Sequence, residues 1–181
     1  KLPNLSLATF ISTALVSPVT FPREPSLDLD TACSAEAIKS ANAVVVLVPL
    51  IVDTDSNPDF TSIDLATKEI AKNLQKGTLV SYETTLPVGT TRNRFAQMLE
   101  EGSGLKVGTD FHLVFSPERV FTGRVFEDLR KYPKLVGGVD EASAKHGVEF
   151  YEKVLDFDKR DDLPRANGVW DLGSSEASEL A

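Results

Sequence analysis

Through the middle of the chain, apolar positions alternate between the spacing of strands and the spacing of helices. Residues 43–48 (Ala-Val-Val-Val-Leu-Val) form a continuous, largely β-branched run closed by Pro49, the pattern of a strand buried on both faces. Helical spacing follows: Ile63, Ala66, Ile70 and Leu74 share one face, as in a helix packed on a sheet. Thr61 or Ser62 is placed to cap it, Asp64 lies in its first turn, and Gly77 supplies a stop. Residues 78–83 predict a second strand. Thr90 or Thr91 is placed to cap a second helix, with Phe95, Met98 and Leu99 inward and an end near Gly102. Residues 111–115 predict a third strand, and residues 134–136 a fourth, closed by Gly137 and Gly138. From Asp140 a further helix sets Ala144, Val148, Tyr151 and Leu155 on one stripe. Strands alternating with helices of this length predict an α/β fold with a largely parallel sheet flanked by helices.

The two ends read differently. Pro3, Pro18, Pro22 and Pro25 interrupt any long element in the first 25 residues. Residues 156–167 are charged and contain a proline, which predicts a surface loop. Residues 174–181 have the composition of a helix start, with capping serines and early acidic residues. The chain stops inside that helix, so a partial polypeptide is expected.

Composition narrows the classes. The chain has 181 residues, 41% hydrophobic and 25% charged, as in a globular protein with a real core. A net charge of −8 argues against general nucleic-acid binding, which needs a basic footprint. It leaves room for a nucleotide ligand held by backbone amides. The single cysteine, Cys33, cannot form an internal disulfide, and no Cys/His spacing suggests a metal site. A reducing, cytoplasmic setting is the default. His112 and His146 are isolated along the sequence and read as structural or surface residues. No apolar run reaches the roughly 18 residues of a membrane span. Residues 5–19 are fairly apolar but broken, and no cleavage site follows cleanly, which disfavours a signal peptide.

In an open α/β sheet, ligands bind beyond the carboxyl ends of the strands. Three segments are predicted there: Pro49-Leu50, residues 83–92 and residues 116–120. In the second, Thr84 and Thr85 offer hydroxyls, Gly89 lets the backbone approach a ligand, and the amides of Thr90 and Thr91 favour an anion. The same residues also suit a plain strand–loop–helix corner with capping threonines. In the third, Glu118 follows Pro117 and suits a general base or a water-orienting group; it equally suits a solvated carboxylate. Arg119 is a phosphate ligand or the partner of an acidic neighbour. Cys33 reads better as a buried inert thiol than as a nucleophile. No Gly-x-Gly-x-x-Gly sequence occurs.

Taken together, these segments resemble the UDP-glucose/GDP-mannose dehydrogenase family. Val46-Leu-Val-Pro49 is similar to its third-strand motif, and Asn57-Pro-Asp59 to its Pro-Asp pair. Glu83-Thr-Thr-Leu-Pro-Val-Gly-Thr-Thr91 is similar to its Thr-hydrophobic-Pro-x-Gly-Thr-Thr signature, and Ser116-Pro-Glu-Arg-Val120 with Gly123 to its Ser-Pro-Glu-Arg motif. Lys134-Leu-Val-Gly-Gly138 resembles the Val-Gly-Gly strand, and residues 176–181 resemble the start of the Ala-Glu-Leu-x-Lys helix. Residues from Pro25 onward also resemble its Glu-Pro-x-Leu segment. The motifs keep the family's order from about residue 43 to the end.

The resemblance implies a Rossmann-like fold, here the second half of an NAD-binding domain over residues 1–173, with residues 174–181 opening a long central helix. It implies NAD-dependent oxidation of the C6 alcohol of a UDP-sugar, UDP-glucose or UDP-N-acetylmannosamine, to the acid. Two hydrides leave in succession, and a cysteine holds the intermediate until water releases it. Thr85 would position the water and Glu118 would do acid–base work. Arg119 and Val120, with Glu118, would line the sugar side. Pro49, Leu50, Thr84 and Thr85 would face the cofactor. The resemblance also implies a homodimer of the parent enzyme through the central helix, with no nucleic-acid or membrane partner.

Departures are plain. The family's Gly-rich cofactor loop is missing before residue 43, and Cys33 does not match the nucleophile's context. The Lys of the last motif would follow Ala181. The chain alone is therefore expected not to catalyse. A competing reading is a truncated, non-catalytic binding or assembly module of the same fold. A third, a 3-hydroxy-acid or 6-phosphogluconate dehydrogenase, is disfavoured by the Ser-Pro-Glu-Arg and Val-Gly-Gly motifs.

Overall fold

Apolar residues at successive positions of a strand must be covered from both sides, and this sets the layers of the protein. The computed structural model describes residues 7–10, 35–121 and 123–181. In chain order the elements are β1 (Leu7–Phe10), α1 (Ala35–Ser40), β2 (Ala43–Val46), β3 (Ile51–Val52), β4 (Pro58–Asp59), α2 (Thr61–Asn73) and β5 (Leu79–Tyr82). A π-helical turn (Thr91–Phe95) then runs into α3 (Ala96–Ser103), followed by β6 (His112–Phe115), α4 (Val125–Lys131), β7 (Lys134–Gly138), α5 (Glu141–Val154), β8 (Val169–Asp171) and α6 (Ser175–Glu179).

Six strands form one sheet in the order β1-β2-β5-β6-β7-β8. β2, β5 and β6 are parallel neighbours, as the sequence pattern predicts, and β1, which that pattern does not reveal, adds a further parallel strand. The fourth predicted strand departs from it: β7 runs antiparallel to β6, with Phe115 opposite Gly137. The connection from β6 contains one short helix, the seven-residue α4. It returns at the edge where β6 ends.

Every residue of β2, β5 and β6 is buried. Val44, Val46, Val80, Tyr82, Leu113 and Phe115 point to one face, where Ile63, Ile70, Phe95 and Leu99 of α2, the π turn and α3 cover them. Ala43, Val45, Leu79 and Val114 point to the other, under Phe150 and Tyr151 of α5. The period of two along each strand sorts side chains between two cores. Tyr82 stacks on Phe95 with ring centroids 4.2 Å apart, and its hydroxyl meets Thr67 Oγ1 at 2.6 Å. Burial pushes the Tyr82 hydroxyl well above the usual phenol range.

The helix starts differ from expectation. Thr61 and Ser62 lie inside α2, whose first amide, on Thr61, is held by Asp59 Oδ1 at 2.9 Å. Neither Thr90 nor Thr91 caps the next helix by its own side chain; Thr90 Oγ1 donates to Pro87 O instead. Gly77 does not stop α2, which ends at Asn73. With φ at +83°, Gly77 forms the left-handed turn into β5. Asp140 caps α5 as expected, accepting from Ser143 N at 2.7 Å. His112 and His146 are isolated in sequence but stacked in space, with centroids 3.5 Å apart. Cys33 and most of the first 34 residues lie outside the described residues.

Phe95 is fully buried and bridges the π turn to β5. Phe95→Ala is expected to lower stability by about 3–5 kcal/mol, the cost of a large buried aromatic and its cavity. Urea denaturation checks this; a loss below about 1 kcal/mol would mean that the turn is not anchored through this ring.

Candidate functional site

The registers place three strand ends level with one another. Val46 pairs with Tyr82, and Tyr82 with Phe115. The ladder continues one step further: Glu83 N donates to Val46 O and Ser116 N to Tyr82 O, both at 2.9 Å. The segments that begin at Leu47, Glu83 and Ser116 therefore leave the sheet side by side at its carboxyl edge, where such folds bind ligands.

The structure places the predicted site residues on these segments. Pro49 and Leu50 are half-buried beyond β2, and beyond β5 Thr84 is half-buried and Thr85 exposed. Glu118 and Arg119 are exposed beyond β6, and Val120 is half-buried. Glu118, Arg119 and Val120 line one small cleft together with Tyr132 and Lys134. The threonines and Pro49-Leu50 lie outside that cleft, on the neighbouring strand ends. Glu118 Oε1 accepts from Val120 N at 2.9 Å, which folds the carboxylate back over its own loop. Among the described residues, no group of three or more His, Cys, Asp or Glu side chains could hold a metal ion.

The anion anticipated at the Thr90-Thr91 amides is supplied by the protein itself. Glu179 of α6 accepts from Gly89 N and from Thr91 N (2.8 Å) and Thr91 Oγ1 (2.6 Å). Gly89 has φ at +86°, a conformation that turns its amide toward the carboxylate at little cost only for glycine. Next to it, Arg92 grips Glu176 through two nitrogens and donates to Val139 O. Gly137 lets α6 approach β7 closely, since a Cβ there would lie 2.0 Å from Ser174 O. These contacts were not foreseen from sequence; the acidic start of residues 174–181 was the available signal.

A second set of residues missed by the sequence reading lies buried just behind the edge. Glu83 and Lys134 are each only 8% exposed. Lys134 Nζ donates to Glu83 Oε2 at 2.8 Å, and the Tyr151 hydroxyl donates to Glu83 Oε1. Ser81 Oγ lies 2.7 Å from the same hydroxyl. Burial, then the charge of Glu83, hold the Tyr151 hydroxyl far above its usual range, so it remains a donor. The signal for Lys134 was a lone charge opening an otherwise apolar strand.

The sequence profile of the UDP-glucose/GDP-mannose dehydrogenase family, NAD binding domain, matches residues 23–155. The chain belongs to this family. A UDP-N-acetyl-D-mannosamine dehydrogenase of Pyrococcus horikoshii is 34% identical over 120 residues, 66% of this chain and 28% of that protein. A UDP-N-acetyl-D-glucosamine 6-dehydrogenase of Pseudomonas aeruginosa is 29% identical over 128 residues, 71% of this chain and 30% of that protein. The crystal structure of an NDP-N-acetyl-D-galactosaminuronic acid dehydrogenase from Methanosarcina mazei superimposes with a TM-score of 0.70 at 37% identity, over 81% of this chain and 29% of that one. The chain thus spans less than a third of each of these proteins.

The fold is Rossmann-like and the cofactor of the matched domain is NAD. The carboxyl edge suits a dinucleotide: the half-buried apolar Pro49 and Leu50 lie one strand away from the Thr84 and Thr85 hydroxyls. The amides of Gly89 and Thr91 are engaged by Glu179.

Arg92 lowers the Glu176 carboxyl to about 2, chiefly by hydrogen bonding. Because the folded value lies below the unfolded one, this contact stabilises fully above the ordinary carboxylate range and is lost as pH falls toward 2. Glu176→Gln is therefore expected to flatten the acid limb of the stability–pH curve between about pH 4.5 and 2.5. Denaturation midpoints across that window test it; identical slopes in both proteins would dismiss the contact.

Proposed function

We propose that this chain is the NAD-binding part of a nucleotide-sugar 6-dehydrogenase that oxidises the C6 alcohol of a UDP-sugar to the uronic acid. UDP-glucose and UDP-N-acetylmannosamine are the candidate substrates, and the Pyrococcus relative's name supports the second. The observation that carries the proposal is the placement of Thr85 and Glu118. Both are exposed, on the ends of neighbouring parallel strands whose last residues pair.

In this reading residues 1–173 form the cofactor domain and residues 174–181 begin the central helix. Pro49, Leu50, Thr84 and Thr85 hold NAD, which when bound accepts hydride from the substrate. Arg119 and Val120 face the sugar. The Thr85 hydroxyl orients the hydrolytic water and Glu118 takes its proton. The working enzyme is a cytoplasmic homodimer joined through the central helix. Among the described residues, no helix is long and apolar enough to cross a membrane.

In the complete dehydrogenase, Glu118→Gln is expected to slow hydrolysis by ~10²–10⁴-fold while sparing the first oxidation. Glutamine keeps the size of the side chain and an oxygen for Val120 N, but cannot accept the water's proton. Covalent intermediate should therefore accumulate on the nucleophilic cysteine, read by intact-protein mass after mixing with NAD and UDP-sugar. Turnover at the parental rate would return Glu118 to a solvated loop carboxylate.

A further inference from the structure

A buried ion pair is a poor way to hold a sheet together. Two charges lose their hydration, and well-packed apolar residues of the same volume often stabilise as much or more. Fold stability alone therefore does not account for Glu83 and Lys134, whose placement is specific. Glu83 directly precedes Thr84 and Thr85, and Lys134 lines the cleft that holds Glu118 and Arg119. The pair spans β6, joining the end of β5 to the start of β7. Between them Ser116, where the Ser-Pro-Glu-Arg loop begins, donates from Oγ to Leu135 O at 2.7 Å. Tyr151 closes the network from α5 and takes the second oxygen of Glu83. An ion pair with both partners desolvated and a third donor in place has one geometry, whereas an apolar contact tolerates sliding.

We propose that Lys134, acting through Glu83, is a positioning residue that fixes the Thr84-Thr85 corner against the Ser116–Arg119 loop. This rests on the reading of Thr85 and Glu118 as the groups that act on water. Lys134 touches no reacting atom in this scheme; it sets the distance between the loops that do. A misplacement of about 1 Å at such a site can cost on the order of 10²-fold in rate.

Two measurements test the proposal, using Lys134→Arg and the paired neutral variant Glu83→Gln/Lys134→Met, which leaves no orphaned buried charge. The first is amide hydrogen exchange on the 181-residue chain. In the paired variant the amides of Glu83 and Ser116 should exchange roughly tenfold faster, with Val44 and Val80 still protected. Unchanged exchange at Glu83 and Ser116 would overturn the proposal. So would equal acceleration at all four, which marks global loosening.

The second is steady-state kinetics in the complete dehydrogenase. The paired variant should lose on the order of 10²-fold in kcat, a larger factor than any rise in KM for NAD, with partial recovery in Lys134→Arg. An unchanged kcat, or a loss confined to KM, would also overturn it. If the unaltered enzyme oxidises no UDP-sugar, the functional reading itself fails, and the exchange measurement still decides whether Lys134 pins the two loops.

Discussion

A carboxylate buried at the open edge of a parallel sheet has to be met by donors, and the donors to Glu83 organise much of this protein. One is Lys134, which reaches Glu83 because β7 runs antiparallel and begins where β6 ends. A parallel β7 would place its first residue at the opposite edge. The other is Tyr151, on the helix that covers one face of the sheet. The reversed strand, the covering helix and the corner that carries Thr84 and Thr85 thus meet at one carboxylate, and Ser116 is tied to the same strand through Leu135 O. Removing either charge alone leaves the other stranded, which typically costs about 3–5 kcal/mol, a large part of the roughly 5–15 kcal/mol that holds a domain folded.

The second organising contact is the seat of α6. Helix N-termini leave amides unsatisfied and carry partial positive charge, so they attract anions. Here Glu179 supplies one from the far end of the described chain, 88 residues beyond Thr91. Arg92 supports the same helix from the π turn, a distortion that in other proteins often accompanies functional sites. Residues 175–179 are therefore fastened to the turn at Gly89–Arg92 through Glu176 and Glu179.

The strands and packing faces were legible because they depend on local periodicity. Residues 43–48 and 111–115 announce buried strands, and Ile63, Ile70 and Leu99 fall on the faces their spacing indicates. The candidate loops were legible through motif order, and the segments that carry Thr85 and Glu118 leave neighbouring strands at the carboxyl edge. Direction and long-range pairing were not legible. Nothing near Lys134 in the sequence indicates that β7 reverses, and its partner lies 51 residues earlier. Short elements such as β3, β4, β8, α1 and α4 carry too few residues for a period to emerge. Helix capping went astray where a neighbour outcompeted the expected threonine, as Asp59 does for α2 and Glu179 for the turn at Thr91.

The claim that one buried carboxylate couples strand, helix and loops is tested most directly by a double-mutant cycle on Glu83→Gln and Lys134→Met, read by equilibrium denaturation. If the pair acts as one unit, the double variant should cost less than the two single variants added together, by at least about 1–3 kcal/mol. Additive losses, with coupling within about 0.5 kcal/mol of zero, would contradict this account.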